Sequence, residues 1–391
     1  ASAWRAYAEM TAILGELLAI RAMIAAYRSD MSAVIELTQQ ALTLVPREET
    51  FLRSAIMLSL GFAYDDVSGD IVAAKRAFTD AFALGKTLTL GKITGNNPIA
   101  LTALAQLAEL EWLQGHLHEG FEMYAQALEL AEQWGGQSFV AVSRVQWGRA
   151  ILLYEWNDLD KAAHALQESI RIGELWKQPR LLVHCFGLSA MVMQARGNGD
   201  AARAMIRRAE QITRDSYTPH PILGSLALYQ LALWIAENDF QAVSRWMQEH
   251  GPEWQSQIGR VRDILAIVLA RALIAKHYQR LDENALSQAR ALIEPALEQS
   301  QASGLAFNVV RLLTLQALVL YAQRESTQAI PILKRALTLA EPENYVRSFL
   351  DIGKPMEEFL LWSMASHSLS EPRLHRNSGN PSLNCRAHLS L

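Results

Sequence analysis

The sequence predicts an all-α protein: a superhelical solenoid of about eight stacked helix hairpins. Three observations lead there. A two-part pattern of small residues recurs eight times at spacings of 40 to 46 residues. Around it, apolar residues return every three or four positions, the period of an amphipathic helix. The chain is also poor in turn formers, with 21 glycines and 12 prolines in 391 residues, against average usage of about 7% and 5%. A lone hairpin of this kind cannot bury its own apolar face, so stacking is what builds the core.

Each unit opens on a small or polar residue, often followed by Asp or Asn. A slender residue follows five positions after the opener, and a second small residue seven after that. The first unit runs Ser29-Asp30, Val34, Ala41; the second Gly69-Asp70, Ala74, Ala81; the third Gly115-His116, Gly120, Ala127. The fourth runs Asn157-Asp158, Ala162, Ser169; the fifth Gly197-Asn198, Ala202, Ala209. The sixth begins Asn238-Asp239, Val243, and its second half decays. The seventh runs Asn284, Ala289, Ala296, and the eighth Arg324, Ala329, Ala336. Leu-x-Leu or a relative usually follows the second small residue, as in Ala127-Leu128-Glu129-Leu130. This signature is tetratricopeptide-like, in units longer than the standard 34 residues.

The opener belongs at the turn between two antiparallel helices. The helix after it carries one apolar stripe, Leu117, Phe121, Tyr124, Leu128 and Ala131 in the third unit. The helix before it is apolar on more of its circumference, as over 309–320, and so is expected to pack on several sides. Small residues at fixed offsets let the paired helices approach. Asp or Asn at the turn is placed to cap the second helix, worth about 1 kcal/mol each. Residues 1–342 are thus expected to form the repeat superhelix and 343–366 a capping helix after Pro342. In 367–391 periodicity is lost and a disordered tail is expected.

A formal net charge of −4 removes the electrostatic case for a nucleic-acid surface. The longest apolar run, 264–275, is short of the roughly 18 residues a membrane span needs and is interrupted by Arg271. No secretory signal is visible. Two cysteines, Cys185 and Cys385, suit a reducing compartment, so a cytoplasmic protein is expected. Residue 1 is Ala, as expected of a chain that starts part-way into a longer or trimmed product.

No catalytic set, cofactor motif or metal site emerges, and no ligand-binding residue can be assigned. Gly85-Lys86-Thr87 looks like the end of a phosphate loop, but position 80 is Asp where the motif needs Gly. His116 and His118 do not share a helical face, so no zinc motif forms there. His367, His375, His388 and Cys385 lack ligand spacing. His184 and Cys185 are adjacent on a helix and do not face each other, which argues against a nucleophile pair. Trp112, Trp147, Tyr154, Trp156 and Trp234 fall in or near first helices, the inner wall of such solenoids. Filling seams between repeats is the expected role, with ligand stacking as the alternative.

The most specific stretch is 335–356, Arg-Ala-Leu-Thr-Leu-Ala-Glu-Pro-Glu-Asn-Tyr-Val-Arg-Ser-Phe-Leu-Asp-Ile-Gly-Lys-Pro-Met. It closely resembles the end of the repeat region in MalT-like, ATP-dependent LuxR-family regulators of bacteria. With the upstream repeats, the resemblance spans about residues 5–366. It implies a sensor superhelix that in such regulators lies between an ATPase and a helix-turn-helix domain. This chain lacks the motifs of both, so neither ATP turnover nor direct DNA binding is expected of it.

The resemblance therefore implies a non-enzymatic sensor and self-association module. A small-molecule inducer or a regulatory protein would bind in the concave groove. The alternative is a free-standing tetratricopeptide scaffold that mediates protein–protein interaction.

Overall fold

The structure, a computed structural model, is described over residues 2–27, 30–65, 70–86, 98–136, 140–215, 220–255 and 260–368. All regular elements among the described residues are helical. They pair as eight antiparallel hairpins: α1 (Ser2–Tyr27) with α2 (Met31–Leu44), α3 (Thr50–Ala63) with α4 (Ile71–Lys86), α5 (Pro98–Leu113) with α6 (Leu117–Gln133), and α7 (Val140–Glu155) with α8 (Leu159–Leu175). The series continues with α9 (Pro179–Ala195) and α10 (Gly199–Asp215), α11 (His220–Ala236) and α12 (Phe240–Gln255), α13 (Arg260–Arg280) and α14 (Glu283–Ala302), and α15 (Ala306–Ala322) and α16 (Ser326–Ala340). A 3-10 turn at Glu341–Glu343, the short α17 (Arg347–Leu350) and α18 (Lys354–Ser368) follow. The tail expected to be disordered lies, from residue 369 on, outside the described residues.

The turns explain the openers. Gly115 (φ 95°), Asn157 (62°), Gly197 (75°), Asn238 (59°) and Arg324 (62°) all take the left-handed conformation. The next N–H reaches back five residues, as from Asp158 N to Leu153 O at 2.8 Å and from Asn198 N to Met193 O at 2.9 Å. This is the Schellman arrangement, which satisfies the last carbonyls of a helix. The same residue then starts the next helix. Side chains of Asp30, Asp70, Asp158, Asn198 and Asp239 accept from the backbone N–H three residues on. In the seventh hairpin the expected opener, Asn284, is already inside α14. The turn lies earlier, with Leu281 at φ 52° and Asp282 capping Ala285. A left-handed leucine runs against its steric preference, which hid this turn from pattern matching.

The small residues sit where paired helices cross. Val34, Ala74, Ala162, Ala202, Ala289 and Ala329 are fully buried. At Gly120 an added methyl would lie 2.8 Å from the Ala108 carbonyl oxygen of α5. First helices are enclosed by their neighbours; over 100–113 every residue of α5 except Thr102 is buried. The decayed second half of the sixth unit corresponds to α12. Past Val243 no residue of it is fully buried up to His250, and a cavity of about 290 Å³ opens against α13 and α14. At the α1 end of the stack, Met10, Ile13, Leu17 and Ile24 remain exposed.

The superhelix turns until its end meets its middle. α15 contacts α5, and α17 contacts α7. Trp112 of α5 packs edge-on against Phe307 of α15 with ring centroids 5.0 Å apart, and Phe307 meets Tyr345 at 5.5 Å. One apolar cluster therefore joins Leu101, Leu110, Trp112 and Val142 to Leu305, Phe307, Val310 and Tyr345. Hairpins three to eight form a closed ring.

Candidate functional site

The ring is fastened by polar contacts between the end of α7 and the segment 341–351. Glu155, the last residue of α7, is buried. Its carboxyl accepts from the Ser348 N–H at 2.9 Å, the Ser348 hydroxyl at 3.0 Å and the Val346 N–H at 3.2 Å. Burial pushes its pKa up to about 7, against the opposing pull of the Ser348 bonds and the charge of Arg311. Beside it the Tyr154 hydroxyl donates to Asp351 at 2.9 Å. Arg347 pairs with Asp351, stacks over the Tyr154 ring at 5.1 Å and reaches Asn157 at 3.3 Å. Burial, and then the charge of Asp351, raises the pKa of Tyr154 above the usual phenol range, so its proton stays on the bond to Asp351.

The 3-10 turn adds a second grip. Trp156 Nε1–H donates to the Glu343 carbonyl at 2.9 Å, and the Glu343 carboxylate accepts from the His118 N–H at 2.9 Å. The His118 ring stacks on Trp156 with centroids 5.0 Å apart, and Asn344 Nδ2 lies 3.1 Å from His118 Nε2. Asn344 takes a left-handed φ of 56°, which ends the turn and points the chain toward α17.

Of the aromatics singled out in the sequence, Tyr154 and Trp156 belong to this clasp, and Trp112 packs beside it in the seam between α5 and α15. Trp147 instead packs against His184 at 5.3 Å, and His184 against Tyr229 at 6.1 Å. Trp234 is half-buried against the α11–α13 cluster. Burial, helped by Arg180 and Arg144, holds His184 down at about 4. Burial pushes the Cys185 thiol up to about 12, and its sulfur faces Ser169 Oγ at 3.1 Å, not its neighbour His184. Gly85 and Lys86 are the last turn of α4, and Lys86 lies over the Phe82 ring at 5.8 Å. A helical glycine there cannot form a phosphate loop; Thr87 lies outside the described residues, as do His375, Cys385 and His388.

One group of side chains has metal-ligand spacing: Glu111, His116 and Glu119 bring donor atoms within 4.8 Å of one another. A cation already occupies it, because Lys75 Nζ pairs with Glu111 at 2.5 Å. Burial works to raise the Glu111 pKa, but Lys75 and His116 outweigh it and hold the carboxyl below its ordinary value. The group is a salt-bridge network.

Glu155, Ser348, Arg347 and Asp351 were not singled out in the sequence as a site. A faint signal was present, since Arg271 and Arg311 are each the one charged residue of an apolar stretch, 264–275 and 309–320. No helix among the described residues is long and apolar enough to cross a membrane.

The family model described as the MalT-like TPR region matches residues 15–364. The HTH-type transcriptional regulator MalT of Vibrio cholerae serotype O1 is 24% identical over 363 residues, covering 93% of this chain and 38% of that protein. The regulator of the same name from Klebsiella pneumoniae subsp. pneumoniae is 22% identical, covering 94% of this chain and 39% of that protein. The chain thus spans about two-fifths of the length of the curated relatives it matches. Among solved structures, a Rap protein complexed with competence and sporulation factor shares the fold, with a TM-score of 0.59 at 11% identity, covering 83% of this chain and 84% of that one. The repeat architecture is that of non-catalytic scaffold and regulatory proteins.

Proposed function

The chain belongs to the MalT-like TPR family, and we propose that it is the non-enzymatic sensor module of a MalT-like, LuxR-family transcription regulator. A small-molecule inducer or a regulatory protein binds the inner wall of the ring. The clasp is the element whose closed and open states that ligand biases; a ligand shifts such an equilibrium only by its difference in affinity for the two states. The observation that supports this reading is the place of the block 341–351. The stretch that most resembles the regulators is the one that closes the ring on Glu155, Tyr154 and Trp156. A generic scaffold has no need of a sequence-specific closure between its end and its middle. The module acts in the cytoplasm, self-associates as part of the larger regulator, and neither turns over ATP nor binds DNA through these residues.

Two measurements test this. Sequencing the DNA on either side of the reading frame is expected to show a phosphate-loop ATPase upstream and a helix-turn-helix downstream; flanks that hold neither refute the regulator reading. A panel of candidate effectors screened by thermal shift is expected to yield one that stabilises the chain by about 2.7 kcal/mol at a hundred times its Kd. That effector must also shift the fluorine resonance of Trp156 in the chain labelled with 5-fluorotryptophan, a signal assigned by its loss in W156F, because Trp156 is bonded to the clasp. Effectors that stabilise the chain and leave Trp156 unchanged would refute the clasp as the sensing element.

A further inference from the structure

Three arginines converge on the clasp from different elements. Arg271 comes from α13, Arg311 from α15 and Arg347 from α17. Arg271 is within electrostatic reach of Asp351, Tyr154, Arg311 and Arg347, and Arg311 is within reach of Glu155. Two carboxyl groups stand against these three guanidinium groups, and both are already engaged. Asp351 holds Arg347 and Tyr154, while Glu155 holds the backbone and hydroxyl of Ser348. Arg311 rests over the Phe307 ring at 5.7 Å. Among the described residues neither Arg271 nor Arg311 has an ion-pair partner. The Nε–H groups of Arg271 and Arg347 and the hydroxyl of Tyr345 are buried with no hydrogen-bond partner.

Arg271 and Arg311 are half-buried and paired with no carboxylate, and the Nε–H that Arg271 keeps from water has no partner to offset its desolvation. Arg271 is the one charged residue of the stretch 264–275 in α13, and Arg311 the one charged residue of 309–320 in α15. Guanidinium forks with free N–H donors match the geometry of carboxylate and phosphate. Resting on the reading of the ring as a sensor, we propose that its interior binds a small organic oxyanion, a carboxylate or a phosphate, held by Arg271 and Arg311 with Arg347 at its edge. Burial depresses the pKa of Arg271, and a bound anion relieves that penalty. Because Arg347 also fastens the clasp through Asp351, occupancy and closure are coupled, and the coupling is reciprocal.

The test uses the whole chain with inorganic phosphate, succinate and citrate as probes, each against chloride at matched ionic strength. Binding is followed by calorimetry and by thermal unfolding. At least one probe is expected to bind saturably; phosphate against succinate separates the two chemistries. R271Q and R311Q should each weaken it about ten- to a hundredfold, the range for a charged hydrogen bond. R171Q, which alters an exposed arginine paired with Glu168, should leave it unchanged. R271K, which keeps the charge and loses the fork, should weaken it less than R271Q and guards against a misfolded variant. A general, unsaturated stabilisation that survives R271Q is the surface effect of strongly hydrated anions and overturns the proposal. So does the absence of saturable binding by all three probes. If the clasp responds to a neutral effector or a protein and to no oxyanion, the sensor reading stands and the anion site falls. If an oxyanion binds through Arg271 and Trp156 does not respond, the anion site stands, while its coupling to closure and the clasp as the sensing element both fall.

Discussion

Glu155→Gln should make the stability of the clasp lose a particular dependence on pH. In the folded chain the carboxyl has a pKa of about 7, raised from an ordinary 4.5 mainly by burial. A group whose folded pKa is raised contributes stability that is fully present below its unfolded pKa and is lost as pH rises through the folded one. Protonated Glu155 therefore favours the closed ring below about pH 4.5, and the advantage disappears by about pH 8. The shift corresponds to about 3 kcal/mol over that window. The substituted amide cannot titrate, yet its carbonyl still accepts from the Ser348 N–H while its NH2 donates to the Ser348 hydroxyl. The wild type minus variant difference, measured by denaturant unfolding followed through tryptophan emission, should fall by about 3 kcal/mol from pH 4.5 to pH 8. Taking the difference cancels the other carboxylates. A difference that stays flat, or rises with pH, would mean that Glu155 is not buried against Ser348 and that the ring is not closed as described.

Other outcomes follow from the same contacts. Tyr154→Phe removes the donor to Asp351 and should weaken the clasp by about 1–2 kcal/mol, read by the same emission signal. Gly120→Ala drives a methyl to 2.8 Å from the Ala108 carbonyl and should destabilise the third hairpin by about 1–3 kcal/mol in denaturant titrations. Arg324→Gly relieves a left-handed φ of 62° and should stabilise the eighth hairpin by about 0.5–1 kcal/mol, seen as slower amide exchange in α15 and α16. Cys185, buried with a thiol pushed up to about 12, should resist alkylation at pH 8 until the chain is unfolded, which peptide mapping by mass spectrometry checks.

The hairpins were legible in the sequence because their determinants are local. The residue that must be left-handed, the cap after it and the slender residue one turn further on all fall within six positions, so Asn157, Asp158 and Ala162 read directly as a turn and a crossing. Leu281 broke that reading because nothing in a leucine advertises a positive φ; Asp282, the cap, was the better marker there. The clasp was not legible as a contact, since residues 155 and 348 meet only after the intervening hairpins accumulate the right rotation. What the sequence did carry was Arg271 and Arg311 as the one charged residue each of the stretches 264–275 and 309–320, and a charged residue in an enclosed stretch points to a partner outside it. The 335–356 block stood out by resemblance to the regulators, without any hint of which surface it would touch.

Closure of the ring also changes how the molecule should come apart. In an open repeat array each unit is coupled only to its nearest neighbours, so melting begins at either end and can stop anywhere. Here the C-terminal end is tied to the third and fourth hairpins, with Ser348 bonded to Glu155 across 193 positions. Fraying from that side must first break the clasp, after which hairpins three to eight lose their mutual support together. The first two hairpins lie outside the loop, with the exposed apolar face of α1 at their end. The chain should therefore behave as one cooperative domain carrying a short, independently fraying arm, with amide exchange in α1–α4 running ahead of a single late step for α5–α16.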